Sequence, residues 1–131
     1  MPQPIDASSP RILIVDDQKS NIRLLEQTLR RAGYAEVSST VEPRDVAAMH
    51  LEHRYDLILL DLQMPVMTGF QVMAQLQEVR ATNPVAILVL SADATQTETA
   101  LEQGANSFMG KPFRLPEVVE RVQSMLQIQG P

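Results

Sequence analysis

Arg11-Ile-Leu-Ile-Val-Asp-Asp17 is the stretch on which the fold turns. Its apolar residues occupy both parities of an extended chain, so the segment reads as a strand buried on both faces, as parallel sheets require. Two carboxylates follow at once. Downstream, Ser20–Ala32 carries Ile22, Leu25, Leu29 and Ala32 on one helical stripe, and Gly33 ends that helix. Ala35–Thr40 is a weaker strand. Pro43–Glu52 reads as a helix with proline in its first turn. Tyr55–Leu60 repeats the apolar pattern and runs into Asp61. Thr68–Arg80 is helical, with Val72, Met73, Leu76 and Val79 inward, until Asn83-Pro84 breaks it. Val85–Leu90 is the most apolar strand and ends in Ser91. Thr95-x-x-Glu98 resembles a capping box opening a short helix that Gly104 closes. Ser107–Met109 is a short strand, and Pro116–Gln127 a final amphipathic helix.

Five strands thus alternate with five helices. Both-face-buried strands in that alternation predict an α/β fold, a parallel sheet covered on both sides. Right-handed crossovers restrict it to a doubly wound arrangement. The carboxyl ends of the strands then share one edge, where ligands bind in such folds. The expected organisation is a tail over residues 1–10, one domain over 11–128 and a short tail over 129–131.

Composition narrows the function. The 131 residues suit one domain, and 44% apolar with 21% charged residues is ordinary for a globular protein. A net charge of −5 argues against direct nucleic-acid binding, which needs clustered lysine and arginine. With no cysteine, disulfides, thiolate metal sites and cysteine nucleophiles are excluded. The longest apolar runs are too short to span a membrane, and Met1–Pro10 lacks the basic start and apolar core of a secretory signal. A cytoplasmic location is expected. His50 and His53 read as surface residues away from the strand ends.

The chemistry-bearing residues all fall on the shared edge. Asp16 and Asp17 follow the first strand, Asp61 ends the third, Ser91 ends the fourth and Lys111 follows the fifth. Three carboxylates brought together repel, and one must protonate unless a cation intervenes. An all-oxygen site suits Mg²⁺, or Mn²⁺ in its place. A carboxylate such as Asp61 is also a nucleophile able to form an acyl phosphate. Lys111 supplies a point charge and Ser91 a hydroxyl for phosphoryl oxygens.

Four segments resemble, in order and spacing, the signatures of bacterial two-component response-regulator receivers, chemotaxis receivers among them: Ile14-Val-Asp-Asp17, Asp61-Leu-Gln-Met-Pro-Val-Met-Thr-Gly69, Leu90-Ser-Ala92 and Lys111-Pro112-Phe113. The resemblance spans about residues 11–128. It implies a three-layer (βα)5 flavodoxin-like fold with strand order 2-1-3-4-5. It implies that Asp61 takes a phosphoryl group from a phosphohistidine on a sensor histidine kinase or phosphotransfer protein. Asp17 and Asp61 would bind the metal directly, Asp16 partly through water, and the Gln63 backbone carbonyl would complete the protein's ligands. Ser91 and Phe108 would form a switch pair, Lys111 would bridge to the phosphoryl group, and the Lys111–Pro112 peptide would be cis. The signal would leave by the fourth helix, fifth strand and fifth helix toward an effector domain or protein. Apart from accepting the group and slowly releasing it, no enzyme activity is implied. Thr68 departs from the acidic residue the family often has there, and Arg114 from the usual helix-capping types.

Three rivals fit less well. An aspartyl-phosphate phosphohydrolase resembles this pattern but needs an acid two residues after its nucleophile, where this chain has Gln63. A flavodoxin-like cofactor binder needs a phosphate loop after the first strand, and Asp-Asp-Gln-Lys-Ser20 is too acidic for one. A degenerate receiver that only makes protein contacts would not need every acidic, hydroxyl and lysine position filled. The chain stops just after its final helix, which suits a stand-alone receiver or a piece of a longer protein.

Overall fold

The computed structural model describes residues 9–65 and 67–129. The expected N-terminal tail falls outside these except for Ser9 and Pro10, and so do the last two residues of the expected C-terminal tail; Gln129 belongs to the last helix. In chain order the elements are β1 (Arg11–Val15), α1 (Lys19–Arg31), β2 (Glu36–Thr40), α2 (Val46–His53), β3 (Leu57–Asp61), α3 (Gly69–Arg80), β4 (Ala86–Ser91), α4 (Thr97–Glu102), β5 (Ser107–Gly110) and α5 (Leu115–Gln129). The strands form one sheet in the order β2-β1-β3-β4-β5, and each neighbouring pair is parallel. This is the doubly wound flavodoxin-like arrangement expected from the sequence.

Strand periodicity divides the core into two. Leu13, Val15, Ile58, Leu60, Ile87 and Val89 point to one face, where they meet Val46 of α2, Val72, Met73 and Leu76 of α3 and Ala100 of α4. Their chain neighbours Ile12, Ile14, Leu57, Leu59, Leu88 and Leu90 point to the other, against Ile22, Leu25 and Leu29 of α1 and Val118 and Val122 of α5. Successive side chains of a strand alternate between faces, so an unbroken apolar run fills both layers. Each fully buried leucine or isoleucine contributes roughly 1.5–3 kcal/mol relative to an exposed one. The order 2-1-3-4-5 reverses direction between β1 and β3, which pair from Ile12↔Leu57 to Val15↔Leu60. The residues just past this register, Asp16 and Asp61, therefore emerge side by side.

Gly33 ends α1 as expected. It adopts φ +108°, and the amides of Gly33 and Tyr34 return to the carbonyls of Arg30 and Leu29, a C-cap that glycine adopts without strain.

Three local expectations are corrected. Pro43–Glu52 is not one helix: Pro43–Asp45 is a 3-10 turn, tightened by the Glu42 carboxylate accepting the Arg44 amide, and α2 begins at Val46. Thr95 does not cap the next helix. Asp93 instead accepts the Thr95 amide at 3.0 Å and caps a short turn ahead of the helix, whose own N-cap, Gln96, makes no side-chain capping bond. A second 3-10 turn, Ala94–Gln96, follows before α4 starts at Thr97.

His50, read as a surface residue, is wholly buried. Its Nδ1 accepts the Tyr55 amide at 3.1 Å and its Nε2 lies 2.7 Å from the Asn83 carbonyl. The two contacts define the tautomer: Nδ1 accepts, so Nε2 carries the proton and donates. His53, by contrast, has half its side chain exposed.

Candidate functional site

The carboxyl edge of the sheet gathers the acidic residues. One oxygen from each of Asp16, Asp17 and Asp61 lies within 4.8 Å of the others. Asp61 closes β3 and Asp16 follows β1, both buried, while Asp17 faces solvent. The positions follow from sequence: an apolar strand runs through the core and releases its first polar residue where the helical layers end.

The two buried carboxylates each accept a backbone amide. Asp16 accepts the Gln18 amide at 2.9 Å and the Asn21 side-chain amide at 3.4 Å. Asp61 accepts the Gln63 amide at 3.2 Å. Lys111 reaches between them, its Nζ 3.5 Å from Asp61 and 3.8 Å from Asp16. These distances exceed those of a strong charge-assisted hydrogen bond, so the ammonium balances the carboxylates without sealing them. Burial pushes the Asp61 carboxyl above the ordinary aspartate range; Lys111 pulls it back, and Asp16 pushes it further up. Burial raises Asp16 likewise, against the Gln18 amide and Lys111.

Three carboxylates against one ammonium leave an excess of negative charge in a partly dry place. Such a set, all oxygen and open on the Asp17 side, fits a hard divalent cation. The loop after β3 is drawn close by Gly69, the first residue of α3, whose amide donates to the Leu62 carbonyl at 3.1 Å. Thr68 caps α3: its hydroxyl accepts the Gln71 amide and the Gln71 side chain accepts the Thr68 amide. This reciprocal box gives a non-acidic residue at position 68 a structural role.

Ser91 ends β4 and is fully buried. Its carbonyl accepts the Lys111 amide at 2.8 Å, which joins the two residues across the end of the sheet. The Lys111–Pro112 peptide is cis. Phe108 lies in β5, half-buried against the α2–α4 side of the core, and its carbonyl accepts the Arg121 guanidinium of α5 at 3.2 Å. It touches the site only through the strand that carries it. Gln63 sits on the loop with its amide on Asp61 and its side chain turned toward Ser91, whose hydroxyl lies 3.4 Å from its Oε1.

Sequence reading missed two neighbours. Asn21 enters from the first turn of α1, and Gln96 reaches Ser91 from the 3-10 turn, Oγ to Oε1 3.4 Å. Neither has a spacing signal: both are long or amide side chains brought in by the fold. A hollow of about 710 Å³ lies at the opposite edge, around His50, Tyr55 and Arg80. Its lining includes Arg54 and Asp56 but no cluster of carboxylates, and Arg80 is spent on the Val85 and Gly104 carbonyls and the Asn106 side chain. No described helix is long and apolar enough to cross a membrane.

The family model of the response regulator receiver domain matches residues 12–123. The transcriptional regulatory protein PrrA of Mycobacterium leprae is 37% identical over 123 residues, which is 94% of this chain and 52% of the relative. ResD of Bacillus subtilis, also a transcriptional regulatory protein, is 38% identical over 117 residues, 89% of this chain and 48% of the relative. The chain spans about half the length of these curated relatives. Among solved structures, chemotaxis protein CheY4 of Vibrio cholerae superposes with TM-score 0.79 at 30% identity, over 90% of this chain and 99% of that one. A CheY-like receiver domain protein of Methanospirillum hungatei shares the fold at TM-score 0.84 and 24% identity, over 93% and 97% of the two chains.

Proposed function

This chain belongs to the response regulator receiver domain family of two-component systems, and on that premise we propose that Asp61 is its phosphoacceptor. The observation that carries the reading is the meeting of buried Asp61 with Asp16, Asp17 and Lys111 at the end of β3.

The donor is a phosphohistidine on a sensor histidine kinase or a phosphotransfer protein. A carboxylate oxygen of Asp61 attacks phosphorus; the new P–O bond forms as the P–N bond breaks, and the electron pair returns to the imidazole nitrogen. The product is an acyl phosphate. Lys111 neutralises charge on the transferred oxygens, and Ser91 donates its hydroxyl to one of them. Asp17 and Asp61 would hold Mg²⁺, or Mn²⁺, directly, with Asp16 partly through water and the Gln63 backbone carbonyl completing the set, and the bound ion would supply further neutralisation of the transferred oxygens. In the return step water attacks phosphorus, the acyl-phosphate P–O bond breaks, and inorganic phosphate leaves with the Asp61 carboxylate restored. This step is slow because the Gln63 carboxamide is neither an acid nor a base at the position a hydrolase fills with an acid. The chain therefore undergoes self-catalysed acceptance and loss of the group and is otherwise no enzyme.

Phosphorylation shifts a pre-existing equilibrium by being bound better in one conformation. Ser91 and Phe108 are the switch pair, and the α4–β5–α5 face carries the signal to an effector domain or protein. A cytoplasmic setting follows from such partners.

Acetyl phosphate with Mg²⁺ tests the reading. Mass spectrometry is expected to find one added phosphoryl group on the wild-type chain and none on Asp61→Asn. Phosphorylation that survives in Asp61→Asn overturns the assignment.

A further inference from the structure

Two glutamines converge on the buried Ser91 hydroxyl. Gln63 Oε1 and Gln96 Oε1 each lie 3.4 Å from Ser91 Oγ. They are also bound to each other, Gln63 Nε2 donating to Gln96 Oε1 at 3.3 Å. Gln63 Oε1 accepts the Ala92 amide as well, and the Asp93 amide donates to Ser91 Oγ at 3.0 Å. A hydroxyl has one proton to donate. In this arrangement that proton is directed at the glutamine carbonyls, and the Asp93 amide occupies one of the oxygen's acceptor positions.

We propose that Gln96 is a positioning residue that, with the Gln63 side chain, holds the Ser91 hydroxyl in its resting arrangement and thereby opposes phosphorylation. The inference rests on the reading of Ser91 as a donor to the phosphoryl group on Asp61. To make that bond the hydroxyl must withdraw its proton from the glutamines. Contacts made only in the resting state favour that state, so their energy is subtracted from phosphoryl affinity. Gln96 is the half of the pair that can be changed cleanly. Gln63 also touches Asp61 through its backbone amide, whereas the Gln96 side chain bonds Gln63 and Ser91, and its backbone amide, which donates to the Asp93 carbonyl, is kept in any side-chain variant. The contacts are long, so the effect belongs at the low end for a neutral hydrogen bond.

Gln96→Met keeps the length of the side chain and removes the amide. With Mg²⁺ and beryllofluoride as the phosphoryl mimic, calorimetric titration of this variant is expected to show affinity raised by about two- to fivefold over wild type. In the absence of mimic, the Asp93 amide resonance is expected to move in Gln96→Met, reporting a freed Ser91 hydroxyl. Both effects are expected to vanish in a Ser91→Ala background, as a double-mutant cycle requires. Unchanged or weakened affinity in Gln96→Met overturns the proposal, and so does an equal Asp93 shift with and without the Ser91 hydroxyl. Failure of wild type to bind beryllofluoride in an Asp61-dependent way would instead strike the phosphoacceptor reading itself.

Discussion

Gly69 packs directly on the backbone of Asp61: a Cβ built on Gly69 would sit 2.8 Å from the Asp61 carbonyl oxygen and 2.9 Å from Leu62 Cα. The first turn of α3 thus braces the strand end that presents Asp61. The Leu62 side chain, also 2.8 Å away, could turn aside, but these two backbone atoms could not. Gly69→Ala must move the loop or the end of β3, at a cost of roughly 1–3 kcal/mol as for other overpacked sites. Denaturant unfolding is expected to register that loss, and beryllofluoride–Mg²⁺ titration a weaker complex. A variant as stable as wild type would show that the loop yields freely.

The buried carboxylates predict a metal-linked pH dependence. Asp61 and Asp16 are both raised above the ordinary value of 3.8, chiefly by burial. A group whose folded pKa is raised binds its proton more tightly in the native state. Its stabilising effect is complete below the unfolded value and is lost as pH rises through the folded one. In chelator, stability of wild type relative to Asp61→Asn is therefore expected to fall as pH climbs from 3.8 through the raised value. At neutral pH the Asn variant is expected to be the more stable, because burial outweighs what Lys111 and the Gln63 amide return to the charged carboxylate. Added Mg²⁺ should reverse the order, since only the wild-type set is complete for the cation. Thermal melts with and without chelator check both signs.

His50 is predicted to matter for stability and not for phosphorylation. It ties the end of α2 to the Asn83 carbonyl and to the Tyr55 amide, at the edge of the sheet away from the acidic cluster. His50→Leu leaves the Tyr55 amide buried without a bond, which costs roughly 1–3 kcal/mol, and takes the donor from the half-buried Asn83 carbonyl, which solvent in the adjoining hollow can reach. Urea titration is expected to show the loss, with acetyl-phosphate labelling of Asp61 unaltered at temperatures where the variant is folded.

Thr68 tests the cap on α3. Thr68→Ala removes the acceptor for the Gln71 amide and is expected to lower stability by about 1 kcal/mol. Thr68→Asp keeps an acceptor there and should retain most of it. If Ala and Asp behave alike in unfolding experiments, the box contributes nothing.

The legible parts of this molecule are those governed by periodicity. Ile12 through Val15 and Leu57 through Leu60 announce strands buried on both faces because no amphipathic alternative suits such runs. Asp16, Asp61, Ser91 and Lys111 could then be placed on one edge because parallel strands share their direction. His50 escaped because α2 has only eight residues, too few for a stripe to separate inside from outside. Its burial depends on Tyr55 and Asn83, which the chain brings near only after folding. Gln96 and Asn21 escaped for a related reason. Polar side chains on turns have no apolar period to reveal their direction, and their targets lie on other segments. Asp93 caps the turn from outside the Thr95-x-x-Glu98 pattern, and Thr95 serves as its donor.

The bond between the Lys111 amide and the Ser91 carbonyl, 2.8 Å long, limits what kind of motion can carry a signal here. It continues the β4–β5 ladder, in which Ser91 pairs with Gly110, to the rim where ammonium and hydroxyl leave the sheet. Sliding one strand past the other would break the whole ladder. On the proposed reading, the motion left to the signal is rotation about the side-chain torsions of Ser91, Lys111 and Phe108. A messenger built on such rotamer jumps can exchange its two forms without unzipping any strand.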